Sequence, residues 1–550
     1  MMLGGNNWRD YFFNTPNFEL IMLLFSSETL YNDVGKRRIM SVKPLNLYTN
    51  FYEAAKKYPT NRLISDELLG AFPEIKYETT YQALIPLIQQ RAFQLATYGI
   101  QKGDKVMIYK SPKMDTYLLA VACAYLGAIP VMVSYHFSLS TLTVFNERLD
   151  QPFILFDHET QTTVSLLKES DPVKQIHTRD LVLKPYQEVA QQFLADDEIS
   201  YMTHTSGTTG IPKLICHSAH SMGWRVAWQQ EIFKKIESDN KLLSFHISPV
   251  HSRYNIGMTS LMGLGFEILC LNNPKLENVS AMLSLYQPVA LETHPNNFVQ
   301  WRQLATRAAE SFHSIKYYHS TFDAINLGTM KEFLTASNQP DARFLQVYGQ
   351  SECGPMILKS HNLESIDQTD SRNMGRGLEG FTQARITDES GIELPVNMNG
   401  HIQFYSKGRA LTYYKESERF EENVYDAWWD SGDYGSIDEQ GQLYLKDRQV
   451  DVIEQIDSTL AIEDFLLDSL SFLDEVVIIR GENYSTQPII ALKPAMQMDW
   501  EAWWQAIADL PHMNEPLIYP FDEIPRTATM KVQRLLLQEK FNQENSLSRY

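Results

Sequence analysis

The chain has 550 residues, of which 44% are hydrophobic and 21% charged, and its formal net charge is −19 at pH 7. This length predicts two or more domains, and the ordinary globular composition excludes disordered and fibrous classes. Because an acidic surface repels phosphate backbones and anionic lipid headgroups, we expect no nucleic-acid partner and no membrane insertion.

The first 39 residues are the least regular part of the chain. The segment Glu19–Phe25 is too short and too poorly flanked for a signal peptide, and a more ordinary globular sequence begins at Met40. We therefore expect residues 1–39 to be an N-terminal extension, either from a misassigned start or as a loosely held arm.

Helical and strand patterns alternate from about residue 78. Short connections between successive strands and helices predict parallel pairing and an α/β fold class. The first predicted elements are a helix over Tyr81–Tyr98, a strand over Lys105–Tyr109, a helix over Asp115–Leu126 and a strand over Ile129–Val133, and a later pair is a strand over Ala290–Thr293 with a helix over Asn297–Ala309.

The four cysteines are far apart and none forms a CxxC pair. A disulfide framework or zinc site is therefore not expected, and small buried cysteines in a reducing cytoplasm are the favoured interpretation.

The pattern changes near residue 446, where a strand over Leu443–Leu445 leads into the charged segment Lys446–Arg448. A smaller α+β pattern follows, so we expect a large domain over residues 40–445 and a small domain over residues 446–550. Its predicted elements are helices over Phe465–Ser471 and Met530–Gln538 and strands over Glu475–Ile479 and Pro488–Leu492.

The densest local pattern is Tyr201–Lys213, which reads YMTHTSGTTGIPK. Glycines let backbone N–H groups face a phosphate, hydroxyls can donate to its oxygens, and the final lysine adds positive charge. An ordinary polar turn is the alternative. A Walker A loop is disfavoured because Lys213 follows Pro212 instead of standing in a Gly-Lys-Ser/Thr helix start. The predicted phosphate-binding residues are Thr205, Ser206, Gly207, Thr208, Thr209, Gly210 and Lys213.

TSGTTGIPK resembles the signature loop of the adenylate-forming superfamily, which comprises acyl-CoA synthetases, nonribosomal peptide adenylation domains and luciferases. The resemblance covers roughly residues 45–540 and implies a large N-terminal domain of mixed sheets flanked by helices, a small mobile α+β C-terminal domain, and activation of a carboxylic acid by ATP and Mg²⁺ as an acyl-adenylate. Segments similar to the other family motifs follow in order at Tyr348–Glu352, Ser431–Gly435, Asp447–Arg448 and Ile524–Lys531.

The resemblance assigns the first of these motifs to the nucleotide. Glu352 and Thr208 would hold Mg²⁺ on the ATP phosphates, since hard oxygen ligands suit that ion. Tyr348 would lie against adenine, with Gly349 and Ser351 beside the nucleotide.

The later motifs would complete the reaction centre. Asp433 would accept hydrogen bonds from both ribose hydroxyls, and Arg448 would reach the ribose or a phosphate. Lys531 would hold the substrate carboxylate and the α-phosphate, where negative charge develops during attack.

Departures from the family pattern fall in the small domain. Val450 stands where a charged hinge residue is common, Asp457 lies near a usual glycine of the thiol tunnel, and Met530 replaces the glycine before Lys531. The adenylation step is therefore better supported than the thioester step. Either a modified carrier surface or a lost second step would account for these changes.

The resemblance also places an acyl pocket, and its predicted residues are His251, Ser252, Thr293, His294, Val347 and Met356. Amino-acid-activating domains usually carry an aspartate near His251 to pair with the α-amine, and none is present here, which argues against a standard α-amino acid. His251 itself either matches a histidine of the acyl-CoA branch or is a buried structural histidine.

The thiol acceptor stays open between two candidates. The first is the phosphopantetheine arm of a separate carrier protein loaded with a small carboxylic or amino acid, and a narrower resemblance in length, layout and acidity points to the bacterial ligases that load glycine for lipid A modification. The second is free CoA. A non-catalytic nucleotide-binding relative is a third hypothesis, and a luciferase-type monooxygenase is a fourth. The third is disfavoured by the retained residues Glu352, Asp433, Arg448 and Lys531.

Overall fold

The computed structural model describes residues 42–168, 170–205, 211–321, 325–449, 453, 456, 458–481, 485–526 and 532–547. The predicted N-terminal extension over residues 1–39 lies outside the described residues. The following predicted or discussed site residues also lie outside them: Ser206, Gly207, Thr208, Thr209, Gly210, Val450, Asp457, Met530 and Lys531.

The described part of the chain contains 24 strands. In chain order they are β1 (Arg62–Ser65), β2 (Glu78–Thr80), β3 (Lys105–Tyr109), β4 (Ile129–Val133), β5 (Phe153–Phe156), β6 (Gln175–His177), β7 (Ile199–His204), β8 (Leu214–Ser218), β9 (Leu242–His246), β10 (Glu267–Cys270), β11 (Ala290–Thr293), β12 (Tyr317–Thr321), β13 (Arg343–Gln350), β14 (Gly354–His361), β15 (Asn373–Gly377), β16 (Thr382–Thr387), β17 (Gly400–Ser406), β18 (Thr412–Tyr413), β19 (Val424–Tyr425), β20 (Trp428–Ile437), β21 (Leu443–Arg448), β22 (Leu473–Arg480), β23 (Thr486–Leu492) and β24 (Leu517–Ile518).

Helices connect and cover these strands. They are α1 (Leu47–Lys57), α2 (Tyr81–Ala96), α3 (Met114–Tyr125), α4 (Leu139–Arg148), α5 (Gln161–Ser165), α6 (Thr178–Leu183), α7 (Ala219–Phe233), α8 (Ser252–Leu264), α9 (Leu276–Tyr286), α10 (Pro295–Arg307), α11 (Leu327–Ala336), α12 (Ser417–Glu421), α13 (Thr459–Ser469), α14 (Trp500–Ala506) and α15 (Arg534–Leu547). No helix of the described residues is long and apolar enough to cross a membrane.

The strands form three sheets. The largest has fourteen strands and runs β16-β17-β20-β21-β15-β14-β13-β12-β11-β9-β10-β1-β2, with β19 paired to β20. The second runs β18-β8-β7-β4-β3-β5-β6, and the third is the small β22-β23-β24 sheet. Each of the two large sheets contains both parallel and antiparallel pairs. In the first, β11–β12 is parallel and β13–β14 antiparallel; in the second, β3–β4 is parallel and β7–β8 antiparallel. The predicted mixed α/β fold class is therefore confirmed.

A layer of helices lies between the two large sheets and forms the main core. The largest hydrophobic cluster joins Ile108 of β3 and Phe245 of β9 through residues of α1, α2, α3 and α8. Helix α3 is buried on every side, which explains its continuous run of apolar residues. This arrangement places the C-terminal ends of β7, β9, β11 and β12 around the helices α7 and α8.

The sequence patterns predicted most of these elements, and local capping accounts for the differences. Strands β3, β4 and β11 have the predicted bounds. Helix α10 begins at Pro295, ahead of the predicted Asn297, because proline is favoured in the first helical turn. Helix α13 begins at Thr459, ahead of the predicted Phe465, because the Ser458 side chain accepts from the Ala461 N–H and caps the helix.

The small domain contacts the large one near the predicted boundary. Strand β21 continues to Arg448 in the large sheet, past residue 445, and the boundary at residue 446 stays a prediction. The Asp447 carboxylate accepts the Thr459 N–H (3.0 Å) at the start of α13. Arg372 of the large domain donates to Asp464 of the same helix (2.6 Å). These contacts fix how α13 sits against the large sheet.

Candidate adenylation site

The predicted phosphate loop is the connection of the β7–β8 hairpin. At its base, the Thr205 N–H donates to the Lys213 carbonyl (3.0 Å), and the Lys213 N–H donates to Thr205 Oγ1 (3.0 Å). These two bonds close the loop on itself, so Thr205 and Lys213 face each other. The tip residues 206–210 lie outside the described residues, and their phosphate contacts stay a prediction.

His204 fixes the strand end that carries the loop. Its Nδ1–H donates to the Thr205 carbonyl (2.8 Å), and its Nε2 accepts the Ser134 N–H (3.2 Å). This pattern requires a neutral imidazole. Burial lowers the pKa of His204 to about 4, which agrees with that tautomer. His204 was not among the residues predicted from the sequence.

Lys213, Tyr413 and Glu352 form a chain of contacts beside the loop. The Tyr413 hydroxyl donates to Glu352 Oε1 (2.7 Å), and Lys213 Nζ lies 3.4 Å from that hydroxyl and 4.6 Å from the ring centroid. Burial lowers the pKa of Lys213, and burial followed by the charge of Glu352 raises the pKa of Tyr413. Strand β18, which carries Tyr413, pairs with β8. A carboxylate and an ammonium group are thus brought to the same edge of the loop.

Arg225 holds the backbone under Glu352. Its guanidinium donates to the carbonyl oxygens of Gly408 (2.7 Å), Ser351 (2.9 Å) and Glu352 (2.7 Å). Burial lowers the pKa of Arg225 to about 10, so the group stays charged at neutral pH. Because three of its donors meet buried carbonyls, the Ser351–Glu352 segment has a fixed position relative to α7.

The predicted adenine and ribose residues meet on the large sheet. The Tyr348 hydroxyl donates to Asp433 Oδ2, and Gln350 Nε2 lies 3.3 Å from the same oxygen. Gln350 also accepts from Trp429 Nε1 (3.1 Å). Asp433 is paired in register with Arg448 across β20 and β21. Tyr348, Asp433 and Arg448 therefore lie close together although they are far apart in the sequence, and their contacts with a nucleotide stay predictions.

Gly349 allows the sharp approach of β13 to β14. A Cβ atom at this position would lie 2.2 Å from the Gly354 carbonyl oxygen, so only glycine fits without moving the backbone. The glycine thereby sets the spacing between Tyr348 and Glu352, which flank it in the same motif.

The predicted acyl-pocket residues divide into two groups. The His251 ring lies 5.8 Å from that of His294 and 6.5 Å from that of His204. Thr293 Oγ1 donates to the His246 carbonyl (2.8 Å) beside them. These residues come together at the ends of β7, β9 and β11.

The other predicted pocket residues lie elsewhere around the site. Ser252 Oγ accepts from Arg225 (3.4 Å), and Val347 packs with Trp228 of α7. Met356 belongs to the cluster around Tyr348, on the nucleotide side. Its place in an acyl pocket stays a prediction.

A buried ion-pair network that the sequence analysis missed lies next to the histidines. Arg253 donates to both carboxylate oxygens of Glu292 (2.6 and 2.5 Å), and His319 Nδ1 is 3.1 Å from Glu292 Oε2. Burial alone would raise the pKa of Glu292, but the charges of Arg253 and His319 outweigh it and the pKa is lowered. Glu292 is therefore an ionised carboxylate at neutral pH, already paired with the Arg253 guanidinium.

The described residues fit a magnesium nucleotide better than a metal held by protein alone. They contain no group of three or more His, Cys, Asp or Glu side chains that could hold a metal ion. Glu352 instead offers a single hard carboxylate beside the phosphate loop. Mg²⁺ is commonly held in this way, by one or two carboxylates together with substrate phosphates.

Comparisons with known proteins agree with this geometry. The family described as "AMP-binding enzyme" matches residues 51–414. The 3-amino-2-hydroxy-4-methoxybenzoate diazotase of Streptomyces cremeus is 30% identical over 88% of this chain and 93% of its own length. The 2-succinylbenzoate–CoA ligase of Bacillus cytotoxicus is 24% identical over 84% of this chain and 94% of its own length.

A solved structure matches the fold. The O-succinylbenzoate coenzyme A synthetase from Bacillus subtilis, in complex with ATP and magnesium ion, has a TM-score of 0.76 at 17% identity and covers 90% of this chain and 100% of that one. The predicted family, AMP-forming enzyme class and cofactors are confirmed. The chain belongs to the AMP-binding enzyme family and is an enzyme that uses ATP and Mg²⁺ to adenylate an acid.

Proposed function

We propose that this enzyme adenylates nitrite and transfers its nitrogen to the amino group of an aromatic amine, which produces a diazonium compound. The observation that carries the proposal is the 30% identity to an aminobenzoate diazotase over 88% of this chain. That share exceeds the predicted large domain of residues 40–445, so the likeness extends into the small domain. The CoA ligase of similar coverage is only 24% identical.

The proposed reaction uses the same adenylation chemistry on a different acid. Nitrite oxygen attacks the α-phosphorus of ATP and pyrophosphate leaves, which gives a mixed anhydride of nitrous acid and AMP. The aromatic amine then attacks the nitroso nitrogen, the N–O bond to AMP breaks, AMP leaves with the electron pair, and the amine nitrogen loses a proton. The resulting nitrosamine tautomerises to a diazohydroxide, which takes up a proton and loses water to give the diazonium ion.

The site contacts support an oxyanion substrate at the α-phosphate. Lys213 lies near Tyr413 and Glu352 at the edge of the phosphate loop. Positive charge there stabilises the negative charge that builds up during attack on phosphorus, whichever oxyanion attacks. The proposal also needs no thiol, which agrees with the departures at Asp457 and Met530.

A thiol ligase is the second candidate, and the near full-length likeness to a 2-succinylbenzoate–CoA ligase favours it. Its acceptor would be free CoA or the phosphopantetheine arm of a carrier protein. Glycine, the carrier protein and a role in lipid A modification stay predictions. Glu292, two positions before His294, is already paired with Arg253, which weakens its case as a partner for an α-amine.

The two candidates are separated by supplying their substrates to the purified full-length chain. With ATP, Mg²⁺, ¹⁵N-nitrite and 3-aminobenzoate at pH 8, where the uncatalysed reaction is slow, we expect AMP together with a ¹⁵N-labelled diazonium, detected by azo coupling and mass spectrometry. Parallel reactions receive glycine or benzoate with CoA. If AMP forms only with an acid and a thiol, the thiol-ligase assignment replaces the diazotase one.

A further inference from the structure

A guanidinium nitrogen lies buried without a partner in the network next to the histidines. Arg253 of α8 is only 5% exposed. Its Nε and Nη2 atoms are both used by Glu292, at 2.6 and 2.5 Å. Its Nη1 atom, in contrast, has no hydrogen-bond partner. Because a buried donor is costly to leave unsatisfied, this nitrogen is suited to an acceptor supplied from outside the chain.

The elements that carry this network hold further buried polar atoms without a hydrogen-bond partner. They belong to His319 (Nε2) and Thr321 (Oγ1), which share one face of β12, and to both amide atoms of Gln229 on α7. The His319 ring lies 6.2 Å from Phe233, one helical turn after Gln229. His319 contacts both Glu292 and Phe233, so its unsatisfied nitrogen belongs to the same network as Arg253. One ligand with several polar groups would satisfy both nitrogens together.

The surroundings of Arg253 are aromatic and hold the guanidinium in place. Its central carbon lies 5.7 Å from the Phe233 ring centroid and 6.0 Å from that of Phe245. Bidentate pairing with Glu292 removes the remaining rotational freedom of the group. A planar aromatic ligand with an acidic group suits this place, because its ring can pack on the aromatic surroundings and its acidic group can accept from Arg253 Nη1.

Helix α7 links this network to the nucleotide side of the site. Arg225, at the middle of the helix, donates to the Glu352 carbonyl, and the ring of Phe233, at its C-terminal end, lies 5.7 Å from the Arg253 guanidinium carbon. Eight residues of α-helix rise by about 12 Å. The Arg253 network and the Glu352 segment therefore contact the same helix about two turns apart.

We propose that Arg253 Nη1 binds the carboxylate of the aromatic substrate and leaves its amino group facing the activated nitrite. The substrate class is then an aminobenzoate, in which the carboxylate serves for recognition and is not itself adenylated. The proposal rests on the proposed diazotase function and adds the specificity-determining residue to it.

The test compares a charged and a neutral substrate on matched variants. Removing Arg253 alone would leave Glu292 buried and unpaired, so the pair is replaced together as Arg253→Met/Glu292→Gln. The control is Arg302→Met/Glu332→Gln, which removes an ion pair of the same two-bond geometry (2.9 and 2.5 Å) on the far helices α10 and α11. The substrates are 3-aminobenzoate and its uncharged analogue 3-aminobenzamide.

We expect the wild type and the control to favour 3-aminobenzoate in kcat/KM by about 10- to 100-fold, the range for a hydrogen bond to a charged group. In the Arg253→Met/Glu292→Gln variant this ratio should fall to about 1, while the KM values for ATP and nitrite change little. If this variant fails to fold, Arg253→Lys is used, and it should lower the ratio because lysine offers no planar fork.

A wild type without the preference, or a folded variant that retains it, overturns the assignment. If the variant changes the KM for nitrite and leaves the KM for the amine unchanged, Nη1 binds nitrite, and the assignment to the carboxylate is also overturned. Calorimetric binding of the two amines in the absence of nitrite separates this test from that of the proposed function. If no nitrite-dependent AMP appears, but 3-aminobenzoate still binds more tightly than its amide through Arg253, the diazotase function fails and the carboxylate site stands.

Discussion

Replacing Tyr413 with phenylalanine tests the contact that orients the proposed magnesium ligand. The substitution removes the hydroxyl that donates to Glu352 Oε1 (2.7 Å). The ring stays, so its edge contact with Phe420 (5.1 Å) and its position under Lys213 (4.6 Å) should persist. The effect should therefore come from the lost hydrogen bond alone.

The size of the effect follows from the burial of the carboxylate. The Glu352 residue is 9% exposed, so water replaces the lost donor poorly. A hydrogen bond to a charged group contributes about 1.5–3 kcal/mol, and partners of metal ligands typically change metal affinity by roughly 10- to 100-fold. We expect Tyr413→Phe to raise the Mg²⁺ concentration needed for half-maximal activity by a factor in that range.

The assay is ATP–pyrophosphate exchange in a magnesium titration, with the best acid substrate at saturation. Tyr414→Phe is the matched control, because this neighbouring ring packs under Lys105 (5.4 Å) instead of beside Glu352. The control should titrate like the wild type. If Tyr413→Phe also has the magnesium titration of the wild type, the hydrogen bond from Tyr413 does not orient Glu352 for metal binding.

Four further outcomes are expected. Asp433→Ala should raise the KM for ATP by about 10- to 100-fold in pyrophosphate exchange, since two ribose hydrogen bonds to a charged group are lost. Arg225→Met should lower the free energy of unfolding in urea by about 3–5 kcal/mol, because three buried carbonyls lose their donor. Gly349→Ala should reduce both stability and adenylation, because its Cβ would lie 2.2 Å from a backbone oxygen. The buried His204 has a pKa of about 4, against 6.5 in the unfolded chain, so the unfolded state takes up the proton first. The free energy of unfolding should therefore fall by up to about 3 kcal/mol as the pH drops from 6.5 to 4. In a plot of the urea midpoint against pH, His204→Asn should flatten that part of the curve.

Periodicity and motifs in the sequence predicted much of the fold. Strands β3 and β4 have their predicted bounds because each is a short apolar run between turn residues. Helix α13 starts six residues ahead of its predicted beginning, since its cap comes from Ser458 and its N–H groups bind Asp447 across the domain boundary. Such a cap depends on a tertiary contact that periodicity does not contain.

The candidate site was predictable where its residues form motifs, and not where they act through distant partners. Tyr348 and Asp433 stand in short recognisable segments and meet in the structure. Arg253 and Glu292 are 39 positions apart, and Tyr413 is 61 positions from Glu352, so nothing local in the sequence pairs them. Buried charge networks of this kind are specified by the packing of α7 and α8 on the large sheet.

The most direct test of the central claim is AMP release by the full-length chain with ATP, Mg²⁺, nitrite and 3-aminobenzoate. The account predicts AMP formation that requires nitrite, and a diazonium product that carries the nitrite ¹⁵N. AMP release that is indifferent to nitrite but requires a carboxylic acid and a thiol would contradict it.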